Sequence, residues 1–321
     1  MTYASVIVAT VRPEGRLEHL LDSLAEQATP CQVLVVDNAS ANGAAASIAA
    51  AYDFAETIRL PHNEGFSRAV NLAARRADGE AIVLVNDDCV CDPSFVDELV
   101  NTLEPRAGVI MAAGVMRDVA NASLIDTAGM ELDATLLVFD YLNGEPLQTL
   151  SSAVPPVGPS GAAACFDRQA FLDAGGFDER LFAYWEDVDL VLRLRAAGGR
   201  CALAARAQGV HEHSATLGSG SARKNALMGF GRGYVLRKWG VLSGRRLPAV
   251  IGRDAVICAG QAVIDRNLTG MSGRVRGYRA AEARNPYPAE AVSSNRGTST
   301  LGTLARRARR RRRLAISGSR S

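Results

Sequence analysis

Three groups of acidic and imidazole side chains stand out in this chain by their types and spacing. The first is Asn86-Asp87-Asp88, which follows directly on the apolar run Ala81-Ile82-Val83-Leu84-Val85. A strand buried on both faces has no structural reason to end in adjacent carboxylates. Hard oxygen ligands suit Mg²⁺ or Mn²⁺, ions that use one or two carboxylates together with the phosphates of a substrate. The competing reading is a turn, which Asn and Asp also favour. The second group is Trp185-Glu186-Asp187-Val188-Asp189, three acids at the start of a helical pattern. Carboxylates there interact with the helix dipole by about 0.3–1 kcal/mol. Phe182, Tyr184 and Trp185 add an apolar setting that raises a carboxylate's pKa, as a general base needs. The third is His211-Glu212-His213, either a contribution to a metal sphere or surface histidines. Asp37, in Val35-Val36-Asp37-Asn38-Ala39-Ser40, either caps a turn or accepts the imide N–H of a uracil or thymine ring.

These residues need a scaffold, and the apolar pattern predicts one. Ala4 to Thr10 reads as a strand, followed by Leu17, Leu20, Leu21 and Leu24 at helical spacing. Val33 to Val36 is a second strand, residues 44 to 52 an Ala-rich helix, and Thr57 to Leu60 a short third strand. Phe66, Ala69, Val70, Ala73 and Ala74 trace one face of a helix before the strand that ends at Asn86. Strands alternating with helices call for an open α/β sheet, and its strand ends would carry Asp37 and Asp88 on one edge. Val109 to Val115 and Leu136 to Phe139 read as further strands, and Ser151 to Gly161 as a loop over the site. A helix carrying Val188, Val191, Leu192 and Leu194 ends at Gly198-Gly199, and a small strand joins Cys201 to Leu203 with Gly209-Val210.

At 321 residues and 48% hydrophobic, the chain is long enough to bury a full core. It has no run of eighteen apolar residues and no basic-then-apolar start, so neither a spanning helix nor a secretory signal is expected, and the location expected is cytoplasmic. Six cysteines without a C-x-x-C pair are expected to be free thiols. The net charge of +2 hides an asymmetry: from Ala222 onward there are 22 Lys+Arg against 4 Asp+Glu, leaving 14 against 30 before it. The extreme is Arg306, Arg307 and Arg309 to Arg313. Such a run is expected to meet anionic lipid at a membrane's inner face, with nucleic acid as the rival partner. The organisation expected is an α/β domain over residues 1–221, a basic helical extension over 222–290 and a disordered Arg-rich tail over 291–321.

Taken in order, Thr10, Val35-Val36-Asp37-Asn38-Ala39-Ser40, Asn63-Glu64-Gly65-Phe66, Asn71, Asn86-Asp87-Asp88, Gly175-Gly176-Phe177-Asp178-Glu179, Tyr184 to Leu190 and His211 resemble the glycosyltransferase family 2 pattern over roughly residues 4 to 240. Within the family the likeness is to bacterial rhamnosyltransferase-like members. The resemblance implies a GT-A fold, Rossmann-like with a mixed, mostly parallel sheet flanked by helices. It implies inverting transfer of a sugar from a nucleoside-diphosphate donor, with dTDP-rhamnose or a UDP-hexose expected, to an acceptor hydroxyl in cell-wall or surface polysaccharide or glycolipid synthesis. The acceptor is expected to be a saccharide or, from the basic tail, a polyprenyl-linked one. By the same resemblance Asp37 holds the base, Thr10 and Asn63 line the nucleotide pocket, and Asp87 faces ribose or phosphates. Asp88 ligates Mg²⁺ or Mn²⁺, with His211 or His213 beside it, and Asp187 is the catalytic base. Ser160, Gly161, Trp185 and Glu186 would meet the acceptor. Asp87 stands where relatives often carry a small residue or Pro, so Asp87 and Asp88 compete as metal ligand. A nucleotidyltransferase would want a Gly-rich basic loop after the first strand, where this chain has only Arg12-Pro13-Glu14-Gly15-Arg16. A nucleic-acid partner would leave the acidic groups without a purpose, so none is expected.

Overall fold

The computed structural model describes residues 3–13, 15–211, 220–242, 244–282 and 285–289. Its first half alternates as the apolar pattern requires: β1 (Ala4–Thr10), α1 (Leu17–Ala25), β2 (Gln32–Asp37), α2 (Ala44–Ala49), β3 (Ala55–Arg59), α3 (Phe66–Arg76) and β4 (Ala81–Val85). Then come β5 (Cys89–Cys91), α4 (Phe95–Val100), β6 (Val109–Asp118), β7 (Asn121–Thr127), β8 (Met130–Leu132) and β9 (Val138–Asp140). The rest is β10 (Ala163–Asp167), α5 (Arg168–Asp173), α6 (Glu186–Ala196), β11 (Arg200–His211), α7 (Ala222–Lys238), α8 (Leu247–Gly260) and α9 (Thr269–Ala280).

The main sheet runs β3-β2-β1-β4-β10-β6-β11-β5, with β7 added on β6. β1, β2, β3 and β4 are mutually parallel, so Thr10, Asp37 and the Asn86 turn share one edge. β10 runs antiparallel between β4 and β6, which makes the sheet mixed. Strand residues alternate between two cores. Val6, Val8, Val33, Val35, Val83 and Val85 face α1, α2 and α4, whereas Ile7, Leu34, Val36, Ile82 and Leu84 face α3, α6 and α7. Both faces being covered is why these strands read as unbroken apolar runs.

Several expectations shift in detail. The strand expected at Leu136–Phe139 is β9, because Leu136 itself sits at φ +53° in the turn between β8 and β9. The small strand expected to join Cys201 to Leu203 with Gly209-Val210 is the long strand β11, whose pairing with β6 is irregular between Leu203 and Gln208. α7 packs Tyr234, Val235, Leu236 and Trp239 into the same core as α3 and α6. Lys238 anchors it, with Nζ 2.7 Å from Asp178 and 2.9 Å from Asp189.

The absence of a long apolar helix does not hold. Gly244–Asp265 is a continuous 22-residue helical segment, long and apolar enough to cross a membrane by length and composition alone. Arg253 and Asp254 interrupt the apolar run in the sequence, but in the fold both pair with residues of the α/β body: Arg253 with Asp133, and Asp254 with Arg232 at 3.1 Å. His213, Glu212 and the arginine run at 306–313 lie outside the described residues.

Candidate active site

Parallel strand ends and the loops beyond them bring four groups of side chains together. At the first, Thr10 ends β1 beside the turn after β4, and its hydroxyl donates to the Asp87 carboxylate. Burial drives the Asp87 pKa up to about 6, with the Thr10 hydrogen bond opposing and the neighbouring Asp88 adding to the rise.

Asp37 is fully buried at the end of β2. Its two oxygens accept from the backbone N–H groups of Ser40 at 2.7 Å and Ala46 at 3.4 Å, so it organises the turn into α2. An open pocket lined by Ala39, Ser40, Arg59, Leu60 and Pro61 lies beside that turn. Asn63 spends its amide oxygen on the Gly65 N–H at 3.0 Å, so its contact is to its own loop. That loop is clamped to the far side of the site: Phe66 N–H donates to Phe182 O at 2.7 Å, and Asn38 bridges Glu64 and Gly65. Gly65 has φ +88°, and a Cβ there would lie 2.5 Å from Phe182 O.

The third group is the pair Asp88 and His211. His211, the last residue of β11, turns Nε2 to within 3.1 Å of Asp88 Oδ1. Its other nitrogen, Nδ1, lies 3.4 Å from Asp126 Oδ2 on β7. Burial alone would lower the imidazole's pKa, but the hydrogen bonds and charges of Asp126 and Asp88 outweigh it and raise it to about 9. Two lone-pair donors facing each other need a cation between them, a proton or a metal ion. Their 3.1 Å separation matches two adjacent corners of an octahedron, about 3 Å apart for bonds of about 2.1 Å. Cys89 Sγ is within reach of both, yet burial pushes its thiol well up, and it points at Ala162 O. A carboxylate and an imidazole without a thiolate fit a hard divalent cation. Asp126 then fixes the ring orientation from behind.

The fourth group begins α6. Tyr184 and Trp185 both adopt left-handed backbone, φ +70° and +76°, directly before Glu186 and Asp187. Two consecutive strained aromatic residues at a helix start persist only where the surroundings hold them. Here Trp185 is buried under Arg232, whose guanidinium lies 5.5 Å from the ring centroid. Burial raises the pKa of both acids, most for Glu186, which also feels the charge of Asp187. Asp187 is the more exposed of the two and accepts hydrogen bonds from the Val188 and Gly161 N–H groups. Ser160 Oγ, Trp185 Nε1 and Glu186 Oε2 are buried without a hydrogen-bond partner among the described residues. Such atoms are uncommon in folded proteins and call for a partner such as water or a bound polar group.

Asp189, the third acid of the cluster, belongs elsewhere. It is fully buried and receives Arg193 at 2.8 Å, Lys238 at 2.9 Å and the Trp239 indole at 3.1 Å. Asn71 has a comparable holding role, exchanging hydrogen bonds of 2.8 and 2.9 Å with the Phe177 backbone. Asp126 escaped the sequence reading because nothing in Ser123-Leu124-Ile125-Asp126-Thr127 marks it, and only the pairing of β7 with β6 beside β11 brings it to His211.

Similarity to known proteins agrees with this geometry. The glycosyl transferase family 2 model matches residues 5–148, and the glycosyl transferase family group 2 model matches residues 81–226. The N-acetylglucosaminyl-diphospho-decaprenol L-rhamnosyltransferase of Mycobacterium tuberculosis is 28% identical over 238 residues, 66% of this chain and 77% of that protein. The O-antigen biosynthesis protein RfbC of Myxococcus xanthus is also 28% identical, over 235 residues that make up 66% of this chain but only 17% of that protein. Among solved structures, GalNAc-T7 with UDP, GalNAc and Mn²⁺ superposes with a TM-score of 0.61 at 14% identity, over 88% of this chain and 55% of that one. The mannosyltransferase PcManGT of Pyrobaculum calidifontis, with GDP-Man and Mn²⁺, gives 0.53 at 20% identity, over 88% of this chain and 76% of that one. The two overlapping models, which together span residues 5–226, and the rhamnosyltransferase relative support a family 2 glycosyltransferase, and the sheet has the fold of the GT-A enzymes on which it superposes.

Proposed function

We propose that this protein transfers a sugar from a nucleoside-diphosphate donor to the hydroxyl of a polyprenyl-linked saccharide, inverting the anomeric configuration, in the synthesis of a surface polysaccharide. The observation that carries the reading is the segment Ser160-Gly161-Ala162. Its Gly161 amide donates to Asp187, and its Ala162 carbonyl accepts from Cys89, the neighbour of Asp88. One short stretch of backbone thus spans from a candidate base to a candidate metal ligand, as a displacement at a single carbon between acceptor and diphosphate requires.

Each residue then has a task. The nucleobase would lie in the pocket at Ala39 and Arg59, beside the turn that Asp37 organises. Asp87, held by Thr10, would face the ribose and the phosphates. Asp88 and His211 would hold Mn²⁺ or Mg²⁺, which supplies Lewis-acid neutralisation of the departing diphosphate. Asp187 removes the acceptor hydroxyl's proton as that oxygen attacks, and its raised pKa brings its basicity closer to the task. Ser160, Trp185 and Glu186 would take the acceptor's polar groups on their unpaired atoms. The rhamnosyltransferase relative is named for transfer to a decaprenol-diphosphate sugar, which supports dTDP-rhamnose as first donor to try and a polyprenyl-linked acceptor.

The test is thermal stabilisation by dTDP, UDP and GDP, each with Mn²⁺ or with EDTA, on the wild type and on Asp88→Ala. A nucleotide at about 100 times its dissociation constant stabilises by about 2.7 kcal/mol. A Mn²⁺-dependent shift with one nucleotide that disappears in the variant supports the donor site. No shift with any nucleotide refutes it.

A further inference from the structure

Helix α8 is turned inside out relative to a helix that faces water. On α8 and the π-helical turn after it (Gln261–Asp265), the exposed side chains are apolar: Ile251, Val256, Val263 and Ile264, with Val263 78% exposed. The charged residues in the middle of α8 point the other way. Arg253 pairs with Asp133, and Asp254 pairs with Arg232, which is 1% exposed. A surface helix in water shows the opposite pattern, with its apolar stripe inward. Of the Gly244–Asp265 segment's most apolar stretch, only 6% is buried inside the molecule.

α9 continues the same surface for an independent reason. It meets α7 through glycines: a Cβ at Gly229, Gly233, Gly270, Gly273 or Gly277 would collide with neighbouring atoms, mostly partner backbone. Backbone packed on backbone leaves no room between the helices for large side chains, so Leu268 and Met271 stay outside, each about half exposed. Pairing of this small-residue kind is frequent where apolar side chains have lipid to face.

The charge around this surface identifies what covers it. Between Ala222 and Ala289 the chain carries 13 Lys+Arg against 3 Asp+Glu. Arg245 precedes α8 and Arg266 follows its π-helical turn, Arg276 and Arg279 lie on α9, and all four are exposed. We propose that the α8–α9 surface lies in the plane of an anionic lipid bilayer, with its apolar side chains among the acyl chains and its arginines at the headgroups. A spanning arrangement is disfavoured, since it would tear Asp254 and Arg253 from their partners and leave Arg232 buried without its carboxylate. A bilayer-lying helix keeps these pairs. The arginine run at 306–313 is not needed for this contact.

The test is co-sedimentation of the full chain with vesicles of phosphatidylcholine alone, or with about a third phosphatidylglycerol. Val263→Glu/Ile264→Glu/Met271→Glu replaces exposed residues only, and a serine triple at the same positions serves as the milder variant. A third variant changes Arg306, Arg307 and Arg309 to Arg313 into Gln. The wild type and the arginine variant are expected to bind the anionic vesicles. Both apolar-surface variants are expected to lose affinity by roughly tenfold or more while melting at the wild-type temperature. Binding retained by the apolar-surface variants, or lost only in the arginine variant, overturns the proposal. So does a wild type that ignores vesicles but is a dimer by light scattering and becomes a monomer in the glutamate triple, since a second copy would then cover the face. No donor or acceptor enters this measurement, so its failure is distinguishable from failure of the transferase reading.

Discussion

Asp126 stands 3.4 Å from His211 Nδ1, on the side of the ring opposite the nitrogen that faces Asp88. A carboxylate behind an imidazole fixes the tautomer and the ring plane, and it makes the outward nitrogen a better donor. Asp126→Asn is therefore expected to weaken Mn²⁺ binding by about 10–100-fold while the nucleotide, added with saturating Mn²⁺, still binds. Titration of Mn²⁺ against the nucleotide-induced thermal shift reads this out. An unchanged Mn²⁺ midpoint would reduce Asp126 to a packing role.

Asp187 and Asp189 lie two residues apart on α6 with opposite surroundings. Asp187→Asn is expected to lower kcat by about 10²–10⁴ with little change in Tm, because Asp187 has no ion-pair partner among the described residues to lose. Asp189→Asn removes the carboxylate that pairs with Lys238 and Arg193, and breaking a buried pair costs about 3–5 kcal/mol. Chemical denaturation and single-turnover kinetics on both variants separate the two roles. Equal loss of stability in both would contradict the division.

The pH dependence follows from the raised pKa of Asp187. Only the carboxylate form accepts a proton, so kcat should rise with pH through a limb that lies above the ordinary carboxylate range. In Asp187→Glu that limb should move. Invariance of the limb would assign it to another group.

Glu186 is buried beside Asp187 with an unpaired oxygen, and burial raises its pKa. In the window between the unfolded and the raised folded pKa, the folded state holds more protons than the unfolded one. Stability therefore falls as pH rises through that window. Glu186→Gln should accordingly raise Tm at neutral pH and flatten its decline with pH, while raising KM for the acceptor. A scan of Tm against pH for the two proteins decides it.

Gly65→Ala places a Cβ 2.5 Å from Phe182 O at φ +88°. Strain of this kind costs about 1–3 kcal/mol. The denaturation midpoint should drop with the slope unchanged, and nucleotide affinity should weaken because Asn63 and Glu64 move with the loop.

What was legible in the chain follows from local physics. Five apolar residues before Asn86-Asp87-Asp88 dictate a buried strand, and parallel strands must present their ends on one edge, so Thr10, Asp37 and Asp88 were placed by pattern alone. The acids at 186–189 were visible as a group, but their division was not. Whether a carboxylate faces a cleft or a lysine depends on α7, which is about fifty residues away in sequence and carries Lys238.

The amino-acid sequence by itself determined the alternation of strands and helices, the family resemblance, and which residue types gather at the strand ends, because periodicity and motif spacing are local properties. The tertiary structure alone decided that Asp126 backs His211, that Asp189 is an anchor, and that Arg253 and Asp254 turn inward so that α8 shows an apolar face. Each of these is a contact between residues far apart in sequence, and its sign is set by the direction a side chain takes once the sheet and helices have packed.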